Sequence, residues 1–232
     1  MKIDLKKYMT ERDQLRAQKK NPGPLLTLSR QYGCEANEVT IKLLNRINQR
    51  LTEKSVNARA WKYISKEIIQ EAASELKLSE ERLTKRVLQH HEHGGIMDAM
   101  FSSLSTAKNL KDKTIIQKIN EIIQTYAHDG KVIIVGRGGA MLTRSIPLSL
   151  HVRIFAPFEW RVAFIADKHK LSQLEAEERV RINDQERITW TEHLTGQTFD
   201  EHLFDILLNR QTLSSDEMVD IIYHLMIKKA LI

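Results

Sequence analysis

The stretch Leu25 to Leu44, LLTLSRQYGCEANEVTIKLL, constrains this chain more than any other. Its apolar run Leu25-Leu26-Thr27-Leu28 has the length of a buried strand. After Ser29-Arg30-Gln31-Tyr32-Gly33 it gives way to helical apolar spacing at Val39, Ile41, Leu43, Leu44 and Ile47. Strand, glycine turn and helix in that order can hold a phosphate. Backbone N–H groups of the turn and the positive end of the helix converge on one point, where an anion replaces the missing hydrogen-bond partners. The same order also describes an ordinary strand-to-helix turn in an α/β core, and these residues alone leave both readings open.

A Walker A loop, G-x-x-x-x-G-K-[ST], places a lysine on the outer phosphates and a hydroxyl on magnesium. Here Gly33 is the one element of that pattern, and Glu35, Ala36, Asn37 and Glu38 stand where glycine, lysine and hydroxyl are wanted. The two glutamates would repel a triphosphate unless a metal or a basic side chain lay between.

Val132-Ile133-Ile134-Val135 is β-branched throughout, which predicts a central, parallel strand. It ends in Gly136-Arg137-Gly138-Gly139. At the carboxyl end of such a strand, the planar fork of Arg137 suits a phosphate and the flanking glycines admit a nucleotide to the backbone. A structural arginine tied to the sheet edge is the alternative. A dinucleotide fingerprint fails, because Met141 takes the place of the third glycine.

Asn21-Pro22-Gly23-Pro24 is the clearest boundary, separating residues 1–21 from the domain. Asn57–Tyr63 reads as a short edge strand, with Ser65 as N-cap of a helix through Glu75. Helical spacing recurs over Ser79–His91, Ile96–Leu104 and Lys111–Tyr126. The string His90-His91-Glu92-His93-Gly94-Gly95 invites a metal reading, but consecutive histidines diverge, and a solvated turn is expected instead. Further on come a strand over Leu150–Ala156, a helix opened by Pro157, and a second helix opened by the capping box Ser172–Glu175. That helix carries Arg181, Asp184 and Arg187 at i, i+3 spacing, expected on one face, which is either a salt-bridged solvent face or a cationic site. Leu203–Leu208 reads as the last strand, ending at Asn209. The capping box Ser214–Glu217 then starts a helix with Met218, Ile221, Ile222 and Leu225 buried.

The chain has 232 residues, enough for one domain with an insertion or lid, and a formal net charge of +6. Met1–Lys20 holds seven Lys/Arg against three acids. Without a companion nucleic-acid motif, this arm reads as an amphipathic helix that packs onto the domain or onto a second subunit; nucleic-acid binding is not expected. No run of 18 apolar residues exists and the N-terminus lacks an apolar signal core, so neither membrane insertion nor secretion is expected. Cys34 is the single cysteine, which fits a reducing cytoplasm.

The string Ser29-Arg30-Gln31-Tyr32-Gly33 resembles the opening of the cytidylate kinase-like family of P-loop proteins, where members tend to read SR-x-YGSGGR. VIIVGRGG at Val132–Gly139, LHVRIFAPFEWRV at Leu150–Val162, and Asn183–Arg187 leading to Leu203–Asn209 agree in order and spacing. The resemblance implies a three-layer α/β/α, P-loop NTPase-like domain over residues 22–232. Such a domain has a parallel sheet, an acceptor-side helical insertion at about 57–128 and a lid at about 171–199. It also implies phosphoryl transfer from ATP to a nucleoside monophosphate such as CMP, with Mg²⁺ bridging the donor phosphates; no side chain is singled out as a metal ligand. On this resemblance Ser29, Arg30, Gly33 and Cys34 hold ATP, and Gly136, Arg137 and Gly138 hold the acceptor nucleotide. Arg181 and Arg187 stabilise the transferring group, and Arg161 and Glu67 match family positions. Glu35, Ala36 and Asn37 depart from the family pattern. They are what a non-catalytic descendant, acting as a nucleotide-binding or partner-binding module, would carry.

Overall fold

All four residues of Val132–Val135 are buried, and they lie next to the middle of a five-stranded, fully parallel sheet. The computed structural model describes residues 22–55, 58–65 and 110–232. In chain order the elements are β1 (Leu25–Arg30), α1 (Ala36–Lys54), β2 (Lys62–Ile64), α2 (Leu110–Asp129), β3 (Val132–Val135) and α3 (Gly139–Thr143). They continue with β4 (Ser149–Phe155), α4 (Phe158–His169), α5 (Gln173–Thr195), β5 (Ile206–Asn209) and α6 (Ser215–Lys228). The strand order is β2-β3-β1-β4-β5. β1 is therefore central, with Leu25 opposite both Val132 and Ser149.

Alternation along the strands sorts the two faces. Leu26, Leu28, Ile133, Val135, Leu150, Val152 and Ile154 pack under α1 and α6, against residues such as Val39, Leu43, Met218 and Ile222. Leu25, Val132 and Ile134 pack on the other face under Ile119, Ile122 and Ile123 of α2 and Trp190 and Leu194 of α5. Helices thus cover both faces, giving three layers.

On β4 this second face is polar. Ser149, His151 and Arg153 are all buried there. Ser149 Oγ donates to Ile146 O at 2.7 Å and lies 3.0 Å from His151 Nε2, while Thr27 Oγ1 lies 2.8 Å from His151 Nδ1. With its single proton committed to Ile146, the serine accepts from Nε2–H, and Nδ1 accepts from Thr27. The imidazole is therefore neutral and satisfied on both sides, and burial holds its pKa below the usual histidine value.

Several boundaries differ from the sequence expectation. β1 runs two residues beyond Leu28, because its ladder with β4 continues to Arg30 opposite Ile154. β5 begins at Ile206 rather than Leu203; Leu203 and Phe204 leave the sheet through a 3₁₀ turn and pack with Ala140. Pro157 is the N-cap of α4, not its first residue. Both capping boxes form, at Ser172–Glu175 and Ser214–Glu217. Ile41 and Ile221, expected inside, are exposed at 49% and 36%. The basic arm, the helix after Ser65, the helices expected at Ser79–His91 and Ile96–Leu104 and the His90–Gly95 turn lie outside the described residues.

Candidate functional site

The turn after β1 is closed by the protein's own groups. Gln31 N–H donates to Ile154 O at 3.0 Å, and Cys34 N–H to Gln31 O at 3.4 Å. Tyr32 N–H donates to Asp184 Oδ1 of α5 at 2.7 Å, so the anion at this turn is a carboxylate of the same chain. Arg161 locks the arrangement. Its buried guanidinium donates to Ala156 O at 3.0 Å and Tyr32 O at 3.2 Å and forms an ion pair with Asp184. Glu35 caps α1 in the left-handed region at φ 45° and pairs with Lys168. Gly33, at φ +88°, packs against Arg161, whose Cβ would lie 3.3 Å from an added methyl. Cys34 is fully buried in the core, and burial pushes its thiol up to about 11, against the opposing pull of Arg161. Neither Gly33 nor Cys34 reaches the cleft.

The loop after β3 is built differently. Gly136, Arg137 and Gly138 all adopt positive φ, at 71°, 59° and 70°. An added Cβ on Gly136 would collide with Arg30 Nη1, so glycine here makes room for a guanidinium reaching over from β1. Burial, with the like charges of Arg187 and Arg137 adding to it, brings the Arg30 pKa down to about 9. No ion pair to Arg30 forms among the described residues. Arg187 of α5 donates to Arg30 O at 3.2 Å and lies 5.3 Å from the centre of the Tyr32 ring. Three arginines, from β1, the loop after β3 and α5, therefore line one space, while Asp184, the acid beside Arg187, is committed to Tyr32 N–H and Arg161. Positive charge gathered at the carboxyl end of a parallel sheet calls for an anion.

The arginines open into a cleft of about 260 Å³ that runs beneath α5 and across the polar face of the sheet as far as Thr27. Arg153 crosses it: its Nη1 donates to Ser29 Oγ at 3.4 Å, and its Nε lies 3.2 Å from Glu201 Oε1. Its guanidinium stands 4.6 Å and 5.6 Å from the ring centres of Phe199 and Phe204. The structure thus gathers Ser29, Arg30, Gly136, Arg137, Gly138 and Arg187 around one space. Arg181 is elsewhere: it is exposed, pairs with Glu177 at 2.8 Å and lies over Phe158. Each three-residue step falls about 60° short of a full helical turn, so Arg181 and Arg187 point about 120° apart rather than sharing a face.

Thr27, Arg153, Trp190, Phe199 and Phe204 also line the cleft and were not anticipated from sequence. One of them carried a signal. Arg153 interrupts the apolar strand LHVRIF on the alternate face that His151 also occupies. Among the described residues no group of three or more His, Cys, Asp or Glu is placed to hold a metal ion.

A parallel sheet in the order β2-β3-β1-β4-β5, flanked by helices on both faces, is a three-layer α/β/α fold of the P-loop NTPase-like kind. The chain belongs to the cytidylate kinase-like family, whose model matches residues 25–212. Among solved structures it is similar to an uncharacterized protein from Eubacterium ventriosum, with 16% identity, a TM-score of 0.59, and coverage of 88% of this chain and 98% of that one. Similarity to TT1252 from Thermus thermophilus is lower, with 12% identity, a TM-score of 0.44, and coverage of 89% and 97%. No curated protein matches the chain. Among the described residues, no helix is long and apolar enough to cross a membrane.

Proposed function

We propose that the chain binds a nucleotide by its phosphate in this cleft, with Arg30, Arg137 and Arg187 as the anion ligands and Gly136 and Gly138 as the floor of the approach. The observation that carries this reading is that Arg30, Arg137 and Arg187 line one cleft, with the Arg30 guanidinium over Gly136 and no carboxylate committed to Arg30 among the described residues. Arg30 keeps its charge at neutral pH, since even the lowered value of about 9 lies above it. At about 260 Å³ the cleft lies just under the roughly 300–1,000 Å³ of drug-sized pockets, which favours one small ligand over two nucleotides held together.

The test is calorimetry with CMP, ATP and inorganic phosphate on the wild type, Arg137→Ala and Arg187→Ala. Charge-assisted hydrogen bonds of about 1.5–3 kcal/mol predict that each substitution weakens nucleotide binding roughly 10- to 100-fold. No heat from any nucleotide at millimolar concentration would overturn the reading.

A second reading is phosphoryl transfer from ATP to that nucleotide. The placement of Arg187 favours it, because a cation on a helix that crosses the cleft is where a transferring phosphoryl group needs charge. The turn after β1 favours binding without transfer: Glu35 faces Lys168, and Asp184 already accepts from Tyr32 N–H. ADP release in the presence of ATP and CMP, abolished in Arg187→Ala, supports transfer. Binding of CMP without turnover leaves the non-catalytic module.

A further inference from the structure

Arg161 and Arg153 are both buried, and the fold treats them differently. Arg161 is fully provided for, with Ala156 O at 3.0 Å, Tyr32 O at 3.2 Å and the Asp184 carboxylate around its guanidinium. Arg153, 7% exposed, is not. Among the described residues its one aligned acceptor is Ser29 Oγ, 3.4 Å from Nη1, beyond the roughly 2.7–3.2 Å of an ordinary N–H···O bond. Glu201 Oε1 lies 3.2 Å from Nε, but Nε makes no hydrogen bond, so this carboxylate, itself 56% exposed, acts only as a charge. A buried cation whose donors are left unfilled costs free energy that packed interiors avoid. The Arg153 guanidinium stands in the cleft wall: Arg153, Ser29, Phe199 and Phe204 all line the cleft, and the two rings flank the charge at its aromatic end. Ser29 adds a second donor, since its oxygen accepts from Arg153 and its own proton has no acceptor among the described residues.

We propose that the ligand of this cleft carries a carboxylate as well as a phosphate, and that Arg153 Nη and the Ser29 hydroxyl bind the carboxylate at the aromatic end. This rests on the phosphate reading above, and both anions belong to one ligand. The two positions differ in charge. Arg30 has Arg187 and Arg137 as its charged neighbours, which together suit the double charge of a phosphate. Arg153 has Glu201 and Asp184 near it, opposed by Arg161, so the net positive charge left there matches a singly charged anion. A carboxylate is also planar, and it meets the fork of a guanidinium held between two rings. A second phosphate would bring twice the charge to one partly neutralised cation. The arginines around Gly136 therefore require a phosphate, and Arg153 selects among the compounds that carry one.

Calorimetric titration of two matched pairs tests this: UMP against orotidine 5′-monophosphate, and glycerol 3-phosphate against 3-phosphoglycerate. Within each pair the second compound brings a carboxylate that the first lacks. In the wild type that carboxylate is expected to strengthen binding about tenfold in at least one pair. Arg153→Gln should erase the gain while leaving the carboxylate-free compound within about threefold. Equal affinities within both pairs in the wild type overturn the carboxylate assignment while leaving the phosphate reading standing, and need no variant to fold. A gain that survives Arg153→Gln also overturns it. Failure of all four compounds to bind the wild type overturns the phosphate reading and the carboxylate assignment together.

Discussion

Two glycine turns stand side by side at the carboxyl ends of neighbouring parallel strands, one after β1 and one after β3, and they have opposite fates. In the first, the backbone is occupied from within: Asp184 takes Tyr32 N–H, Arg161 takes Tyr32 O, and Lys168 neutralises Glu35. In the second, three residues in a row adopt positive φ and clear a passage in which cations collect. The difference teaches that a strand-glycine-helix pattern specifies geometry, while the side chains brought in from elsewhere decide whether an anion from outside has any place in it. The first turn draws Arg161 and Lys168 from α4 and Asp184 from α5, while Arg187, about one helical turn further along α5, donates to Arg30 O and lines the cleft that the second turn opens into.

Substituting the glycines should break the comparison most widely. Gly136→Ala forces Arg30 aside and, at positive φ, strains the loop; nucleotide affinity is expected to fall about 100-fold by calorimetry, with a stability loss of about 1–2 kcal/mol. Gly33→Ala, strained in the same way and close to Arg161, should cost about as much stability by denaturant unfolding, yet change affinity less than threefold. Asp184→Asn tests whether the first turn depends on its internal anion: with Arg161 left buried and unpaired, unfolding free energy should drop by about 2–3 kcal/mol.

His151, beneath Thr27 in the cleft floor, gives a smaller and pH-dependent effect. Burial lowers its folded pKa, so the unfolded chain binds the extra proton first as pH falls. The stability contributed by the neutral ring is complete above the unfolded value of 6.5 and is lost progressively below it. Thermal melts of wild type against His151→Asn should therefore show the steeper decline in the wild type, at most about 1.4 kcal/mol between roughly pH 7.5 and 5.5. Smallest of all is Arg181→Ala. Its exposed pair with Glu177 predicts less than about 0.5 kcal/mol in stability and no change in nucleotide affinity.

The fold was largely legible in the sequence because its signals are local. β-branched Val132–Val135, the run at Leu25 and the two capping boxes each follow from a few neighbouring residues. The candidate site was legible only in part. Arg30, Arg137 and Arg187 were visible as arginines near glycines or on a charged helix. That Arg30 would lie over Gly136 depends on β1 and β3 being adjacent, which no local pattern states. The i, i+3 reading of α5 overlooked the lag of about 60° per step, and so grouped Arg181 with Arg187. The aromatic end was invisible for a similar reason. Phe204 reads as part of a strand, but the ladder begins only at Ile206 opposite Val152, and the Asp205 carboxylate just before it accepts from His151 N–H at 2.7 Å, a contact across 54 residues that no local pattern states.

Cys34, the single thiol of the chain, lies sealed in the core directly behind the first turn, with its ionisation pushed up to about 11. Alkylating reagents attack the thiolate, so in the folded protein this sulfur is protected twice, by lack of access and by lack of charge. Its modification rate is consequently a clock for how often the turn and the start of α1 come open. That clock can be read in the native protein without a label or a second variant. A ligand that engages Arg187, and through α5 steadies Asp184 against Tyr32, should make it run slower.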